Sequence, residues 1–328
     1  MATVARLVLV IGGSGFVGRH VLRACVMGGL PAVGTFHRTS PQHAVGDEKA
    51  EIAWERVDIG DPASVRVVLD RWRPIWLIVL AAQSSVAAAS GDVGKTLAVN
   101  VLGPWNVFSA ARSVKSLEKI VWVGSGEAYG HVAGAADRCE ETMALQPITV
   151  YGLSKAAADG LAAILSRRGE LPIVRARLFP CTGPGQSSRF VCGDFAQQIA
   201  LAERRGEAVT IRGGNLDVVR DFTDVRDVAD ALLALLQHGQ VGEAYNVCSG
   251  IGRSVREVAE SLLRVAGCSG NIVSEASKRR PVDIARLVGS PEKIAAATGW
   301  LPRRPWEQTL KDLLADWRVR VRANSTDT

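Results

Sequence analysis

The chain has 328 residues, 47% hydrophobic and 22% charged, enough for one large globular domain or for a core domain with a smaller partner. No run approaches the roughly 20 uninterrupted apolar residues of a membrane span, and no basic run interleaves with aromatics, so neither a membrane nor a nucleic-acid partner is expected. The net charge of +6 suits an anionic ligand, and the six cysteines form no C-x-x-C pair, which reads as reduced thiols and no metal.

In chain order, Arg6 to Ile11 reads as a first strand running straight into a glycine turn. It has no small-residue cleavage site, so it is not taken for a signal peptide, and the cytoplasm is the expected compartment. Further strands are expected at Ala32 to Phe36, Ile52 to Val57, Ile75 to Ala81, Lys119 to Gly124 and Ile173 to Leu178. Helices are expected at 16–28, 62–72, 92–115 and 150–168, with Asp61 as an N-cap and Pro62 at the first helical position. This alternation predicts an α/β fold, a Rossmann-type doubly wound parallel sheet.

Beyond residue 180 the pattern changes. Loops at Gly183-Pro184-Gly185-Gln186 and Arg212-Gly213-Gly214-Asn215 are joined by helical stretches at 193–205, 225–238, 253–266 and 305–318. The expected organisation is a Rossmann domain over 1–180, with 225–250 returning to it through a strand at Gly242 to Cys248. A smaller α/β substrate lobe would comprise 181–224 and 251–318, and a flexible tail 319–328.

The glycine turn is Gly12-Gly13-Ser14-Gly15-Phe16-Val17-Gly18, between a strand and a helix, spaced G-x-x-G-x-x-G. A dinucleotide pyrophosphate would sit there on the N–H groups at the helix start. The second strand ends Thr35-Phe36-His37-Arg38-Thr39-Ser40, without a carboxylate to hold ribose hydroxyls. Arg38, helped by Thr39 or Ser40, could instead bind a 2′-phosphate, which favours NADP(H) over NAD(H). Asp58 and Ile59 would lie near the adenine.

Tyr151 and Lys155 stand one turn apart on one helix face, in Tyr151-Gly152-Leu153-Ser154-Lys155, with Ser125 upstream. A phenol that passes a proton beside a nicotinamide means hydride chemistry at a carbonyl or carbinol carbon. Its ordinary pKa is about 10, and a neighbouring ammonium can pull it towards working pH. Ser125 would donate to the reacting oxygen, and Lys155 would hold the nicotinamide ribose.

These segments resemble the extended short-chain dehydrogenase/reductase family over nearly the whole chain. Ala81-Ala82-Gln83-Ser84-Ser85, Val123 through Gly130 and Arg220 through Val228 look like its nucleotide-sugar branch. Gly183 through Phe190, Asp194-Phe195-Ala196, Gly214-Asn215-Leu216 and Tyr245 through Gly250 are most similar to the GDP-4-keto-6-deoxy-D-mannose reductases. The resemblance implies a cofactor site that also includes Ala81, Ala82 and Gln83. It implies a substrate site of Ser84, Ser85, Gly126, Glu127, Pro180, Arg189, Phe190, Asp194, Arg212, Asn215, Arg220, Arg280 and Asp283.

Arg220 and Arg280, the latter in Arg280-Pro281-Val282-Asp283, would clamp the diphosphate, for which planar charged donors suit. The expected partner is a GDP-linked 4-keto-6-deoxyhexose, reduced to a GDP-6-deoxyhexose such as GDP-D-rhamnose for bacterial glycan (lipopolysaccharide) assembly. A homodimer through the alanine-rich helices 92–115 and 150–168 is also implied.

Two departures stand out. Pro180 follows Arg177-Leu178-Phe179 where the family has asparagine. Gly126 stands where 4,6-dehydratases place an acid or serine beside Glu127, so Glu127 is expected to hold substrate hydroxyls or a water rather than drive dehydration. A 4-epimerase, a dehydratase or decarboxylase, and a catalytically weak cofactor-binding protein remain alternatives.

Overall fold

The computed structural model describes residues 6–39, 52–131 and 138–323. Its first half alternates as β1 (Val8–Ile11), α1 (Phe16–Met27), β2 (Ala32–Phe36), β3 (Ala53–Arg56), α2 (Pro62–Trp72) and β4 (Trp76–Val79). Then come α3 (Val86–Gly91), α4 (Val93–Leu97), a π-helical turn at Ala98–Leu102, α5 (Gly103–Ala111), β5 (Lys119–Val123), α6 (Val150–Arg167) and β6 (Ile173–Leu178). The remainder comprises β7 (Cys181–Thr182), α7 (Val191–Arg205), β8 (Val209–Gly213), β9 (Val219–Asp221), β10 (Thr223–Asp224), α8 (Val225–His238) and β11 (Ala244–Val247). It ends with β12 (Gly252–Ser254), α9 (Val255–Ala266), β13 (Gly270–Ser274), β14 (Arg286–Leu287), α10 (Glu292–Thr298) and α11 (Trp306–Ala323).

Seven strands form one parallel sheet in the order β11-β6-β5-β4-β1-β2-β3. Successive strand residues point to opposite faces, so β1 divides itself between two cores. Leu9 and Ile11 join the core under α2, α5 and α6, whereas Val8 and Val10 join the one under α1 and α8. A third core, built by α7, β8, α9 and α11, lies apart from the sheet. The strand order reverses between β1 and β4, and there a crevice opens at the carboxyl ends of the strands.

Asp61 caps α2 by accepting from the Ala63 N–H at 2.9 Å, as its position before Pro62 predicts. The span 92–115 is not one helix. Asp92 recaps the chain by accepting from Lys95 N–H, and Pro104, lacking an N–H, cannot bond back to Asn100. The chain widens instead into a π turn, closed by the Gly103 N–H on the Ala98 carbonyl. Helix α11 runs to Ala323 rather than fraying after 318, because Val321 is buried in the third core and its carbonyl accepts from Arg204 at 2.9 Å. Ser40 and residues 324–328 lie outside the described residues. Among the described residues, no helix is long and apolar enough to cross a membrane.

The loop after β7 is held from two sides. His20 of α1 bonds the Pro184 carbonyl at 2.9 Å, while Asp316 of α11 accepts from Gly185 N–H at 3.0 Å and Arg320 donates to the Gln186 carbonyl.

Candidate active site

The turn from Gly12 to Gly18 needs its glycines. Gly12 has φ +90°, and a Cβ there would lie 2.7 Å from the Ala81 nitrogen; one on Gly18 would lie 2.4 Å from the Gly12 carbonyl oxygen. The turn is pinned by Thr35, whose hydroxyl accepts from Gly12 N–H at 2.9 Å. Gly15 caps α1 without a side-chain acceptor, so the helix-start amides face the cleft beside Ser14, Phe16 and Val17. An anion fits this end, supplying the acceptors that the chain does not.

At the far end, Thr35, Phe36, His37, Val57, Asp58 and Ile59 line the cleft. Gly103 lets α5 approach Ile59, since a Cβ there would sit 2.6 Å from the Ile59 side chain. Arg38 is exposed and off the cleft lining, so the cation expected at this end is not brought to it. His37 is, with its Nε2 3.3 Å from Asp58 Oδ2.

Under the strand ends, Thr149 caps α6 by accepting from Gly152 N–H at 3.0 Å, which fixes the first turn carrying Tyr151. Tyr151 is hydrogen-bonded to Ser125, whose oxygen also accepts from Glu127 N–H at 3.2 Å. Lys155, one turn on, donates to the Val123 carbonyl at 3.0 Å. Burial raises the Tyr151 phenol to about 12, against the expected pull towards working pH, because desolvation of the phenolate outweighs the Ser125 hydrogen bond. The same burial lowers the Lys155 ammonium to about 8.

The sequence reading missed Asn100. It is buried in the π turn, accepts from Gln83 N–H at 2.8 Å and donates to the Gln83 carbonyl at 3.0 Å and to Ser154 at 3.0 Å. Gln83 therefore does not line the cleft; its side chain accepts from Ser85 N–H and shapes the loop that brings Ala81, Ala82, Ser84 and Ser85 to the wall. Thr35 was also missed. Its signal was a hydroxyl in an otherwise apolar buried strand.

On the substrate side, Glu127, Pro180, Arg189, Phe190, Arg220 and Arg280 line the cleft. Burial raises the Glu127 carboxyl, opposed by the nearby Arg220 and Arg280 guanidiniums. Asp283 stands behind the arginines: Arg220 donates to it at 2.5 Å and to the Ile284 carbonyl at 2.6 Å, and Arg280 approaches it at 3.8 Å. Gly126 lies under Phe179, whose ring atoms would be 3.1 Å from an added Cβ.

Besides Gly126 and Asp283, three more expected substrate residues do not line the cleft. Asp194 pairs with Lys278 at 3.1 Å, Arg212 with Glu275 at 3.2 Å, and Asn215 accepts from Asp217 N–H at 3.2 Å. All six cysteines are free, and no metal-ligand cluster occurs among the described residues.

The family model described as GDP-mannose 4,6 dehydratase matches residues 9–313. A GDP-6-deoxy-D-mannose reductase of Pseudomonas aeruginosa is 36% identical over 269 residues, covering 81% of this chain and 88% of that protein. Among solved structures, RMD from Pseudomonas aeruginosa complexed with NADPH superposes with TM-score 0.83 at 33% identity, over 96% of this chain and 99% of that one. The Thermus thermophilus UDP-glucose 4-epimerase complex with NAD superposes with TM-score 0.84 at 29% identity, over 95% and 99% of the two chains. With the family model spanning nearly its whole length, the chain belongs to the GDP-mannose 4,6-dehydratase family within the short-chain dehydrogenase/reductases.

Proposed function

We propose that this protein is an NADPH-dependent reductase of the C4 ketone of a GDP-4-keto-6-deoxyhexose, acting in the cytoplasm as a homodimer. One observation carries the reading: the glycine turn, the Ser125–Tyr151–Lys155 group and the Arg220–Arg280 pair line one continuous cleft. Its donors suit a dinucleotide at one end and a sugar diphosphate at the other. The core under α7 and α11, separate from those of the sheet, supports dividing the chain into a cofactor part and a substrate lobe.

Bound NADPH would supply the hydride to sugar C4. The residues holding it would be the α1 amides, Ala81 and Ala82, with Lys155 at the nicotinamide ribose. Ser125 donates to the ketone oxygen, and Tyr151, kept protonated by burial, delivers its proton to the resulting alkoxide. Arg220 and Arg280 hold the diphosphate, and Asp283 positions both guanidiniums. Glu127 takes sugar hydroxyls. Gly126 favours reduction over dehydration, since Phe179 crowds the place where a second acid would stand.

The dimer is supported by two outward apolar stripes. Leu153, Ala157, Gly160 and Ile164 recur at helical spacing on the exposed face of α6. Leu97, Leu102 and Trp105 are exposed on the adjoining broken helix. Of the alanines expected at this face, Ala158 and Ala162 pack inside the chain's own core.

The test is NADPH oxidation with GDP-4-keto-6-deoxy-D-mannose, against NADH and the dTDP-linked ketosugar as controls. GDP-selective oxidation is expected, reduced by about 10²-fold or more in Tyr151→Phe with cofactor binding kept. No oxidation of either cofactor would overturn the reading.

A further inference from the structure

Alternation along β5, Lys-Ile-Val-Trp-Val, decides where its one large ring goes. Val121 and Val123 face the core under α1 and α8, while Ile120 and Trp122 face the core under α6. Trp122 is 1% exposed, and Gly124 leaves room for its ring, since a Cβ there would come within 2.8 Å of it. Arg175, its neighbour across the sheet, reaches the same helix and pairs with Asp159 at 2.9 Å. Tyr151, Lys155 and Asp159 recur every four residues on one face of α6. Asp159 thus has its counter-charge, but among the described residues no carboxylate pairs with Lys155, and burial lowers its ammonium to about 8. What that ammonium meets is the Val123 carbonyl at 3.0 Å and the Trp122 ring, its Nζ lying over the ring 5.5 Å from the centroid.

We infer that Trp122 is a positioning residue, whose indole face holds the Lys155 ammonium charged and in place at the cleft. This deepens the reductase reading and rests on it for the work that Lys155 does. A cation taken out of water needs compensation, and one carbonyl answers only one of its three donors. A carboxylate in the same place would compete with the nicotinamide ribose for the others. The electron-rich face of a ring attracts the charge and leaves donors for the ribose. The other ionisable groups presented by the elements packed on α6 are Glu127, Arg175, Arg177 and the exposed Lys95 of α4, with Tyr151 and Asp159 on α6 itself and Cys181 beside Tyr151. Both arginines are already paired with Asp159.

The test is a pH titration by carbon-detected NMR on the full chain carrying isotope-labelled lysine, without cofactor, the Lys155 signal being identified by its loss in Lys155→Arg. The wild-type signal is expected to titrate at about 8. In Trp122→Leu the midpoint should fall by about one pH unit, the size of a desolvated cation–π contact. In Trp122→Phe it should fall by less, because a smaller ring keeps part of the attraction. Should Trp122→Leu fail to fold, the direction of the shift in Trp122→Phe decides. As a second readout, the alkaline limb of kcat/KM with NADH should move to lower pH together with the midpoint. A midpoint that stays in place, one that rises because water enters the vacated space, or equal shifts in both variants would each overturn the role. So would a uniform loss of activity with the limb unmoved, which marks a ring that only fills the core. The titration needs neither cofactor nor sugar. Shifted midpoints in a protein that never turns over the GDP ketosugar would therefore keep the hold of Trp122 on Lys155 and remove the reductase reading alone.

Discussion

Burial acts in opposite directions on the two ionisable groups at the heart of the cleft. It keeps the Tyr151 phenol protonated, at about 12, which suits a residue that gives a proton during reduction. It brings the Lys155 ammonium down to about 8, so that Lys155 carries full charge only below that pH. With NADH as the reductant, which removes the 2′-phosphate from the comparison, kcat/KM is expected to fall as pH rises through about 8. Lys155→Arg should shift that limb upward, and a limb that stays in place would assign it to another group. At this scale the meeting of Ser125, Tyr151 and Lys155 in one cleft was legible from residue type and spacing. Asp194, Arg212 and Asn215 were misleading for the converse reason: polar residues in loops often satisfy one another, as these do with Lys278, Glu275 and the Asp217 backbone.

The π turn matters at the next scale up. By breaking a segment that periodicity alone reads as one helix, it buries Asn100 against both backbone groups of Gln83. Asn100→Ala leaves those groups without their partners and should cost about 2 kcal/mol of stability, together with weaker cofactor binding through the displaced loop. Urea unfolding and calorimetry would read the two losses, and an unchanged midpoint would show that the loop holds its shape unaided. Pro104 was the visible cue to the break. Neither the turn nor the reach of Asn100 to Gln83 follows from hydrophobic spacing, since Asn100 is held by polar contacts to residues distant in sequence, Gln83 and Ser154. The extra turn of α11 was hidden similarly: a polar stretch gives no hint that Val321 finds a core supplied by α7 and α9.

Across the whole molecule, the sheet was legible because six apolar runs alternate with amphipathic ones, and the chain returns through Ala244–Val247 to add the seventh strand beside β6. What the spacing could not reveal is which helix faces look outward. Leu102 and Leu153, 57% and 54% exposed, lie on the two stripes proposed for the dimer. If the proposed dimer forms, the wild type is expected to sediment as a dimer in analytical ultracentrifugation and the double variant Leu102→Glu, Leu153→Glu as a monomer. A wild type that is monomeric at tens of micromolar would dismiss the interface.

The strap after β7 has two unlike fastenings. On the α1 side burial lowers the His20 pKa, so the tie to Pro184 is an uncharged ring meeting a carbonyl. On the α11 side two partly exposed charged side chains hold it, Asp316 accepting from Gly185 N–H and Arg320 donating to the Gln186 carbonyl. Dissolved salt screens the second far more than the first. Rising ionic strength is therefore expected to weaken the charged fastening on α11 more than the uncharged one on the glycine-turn helix.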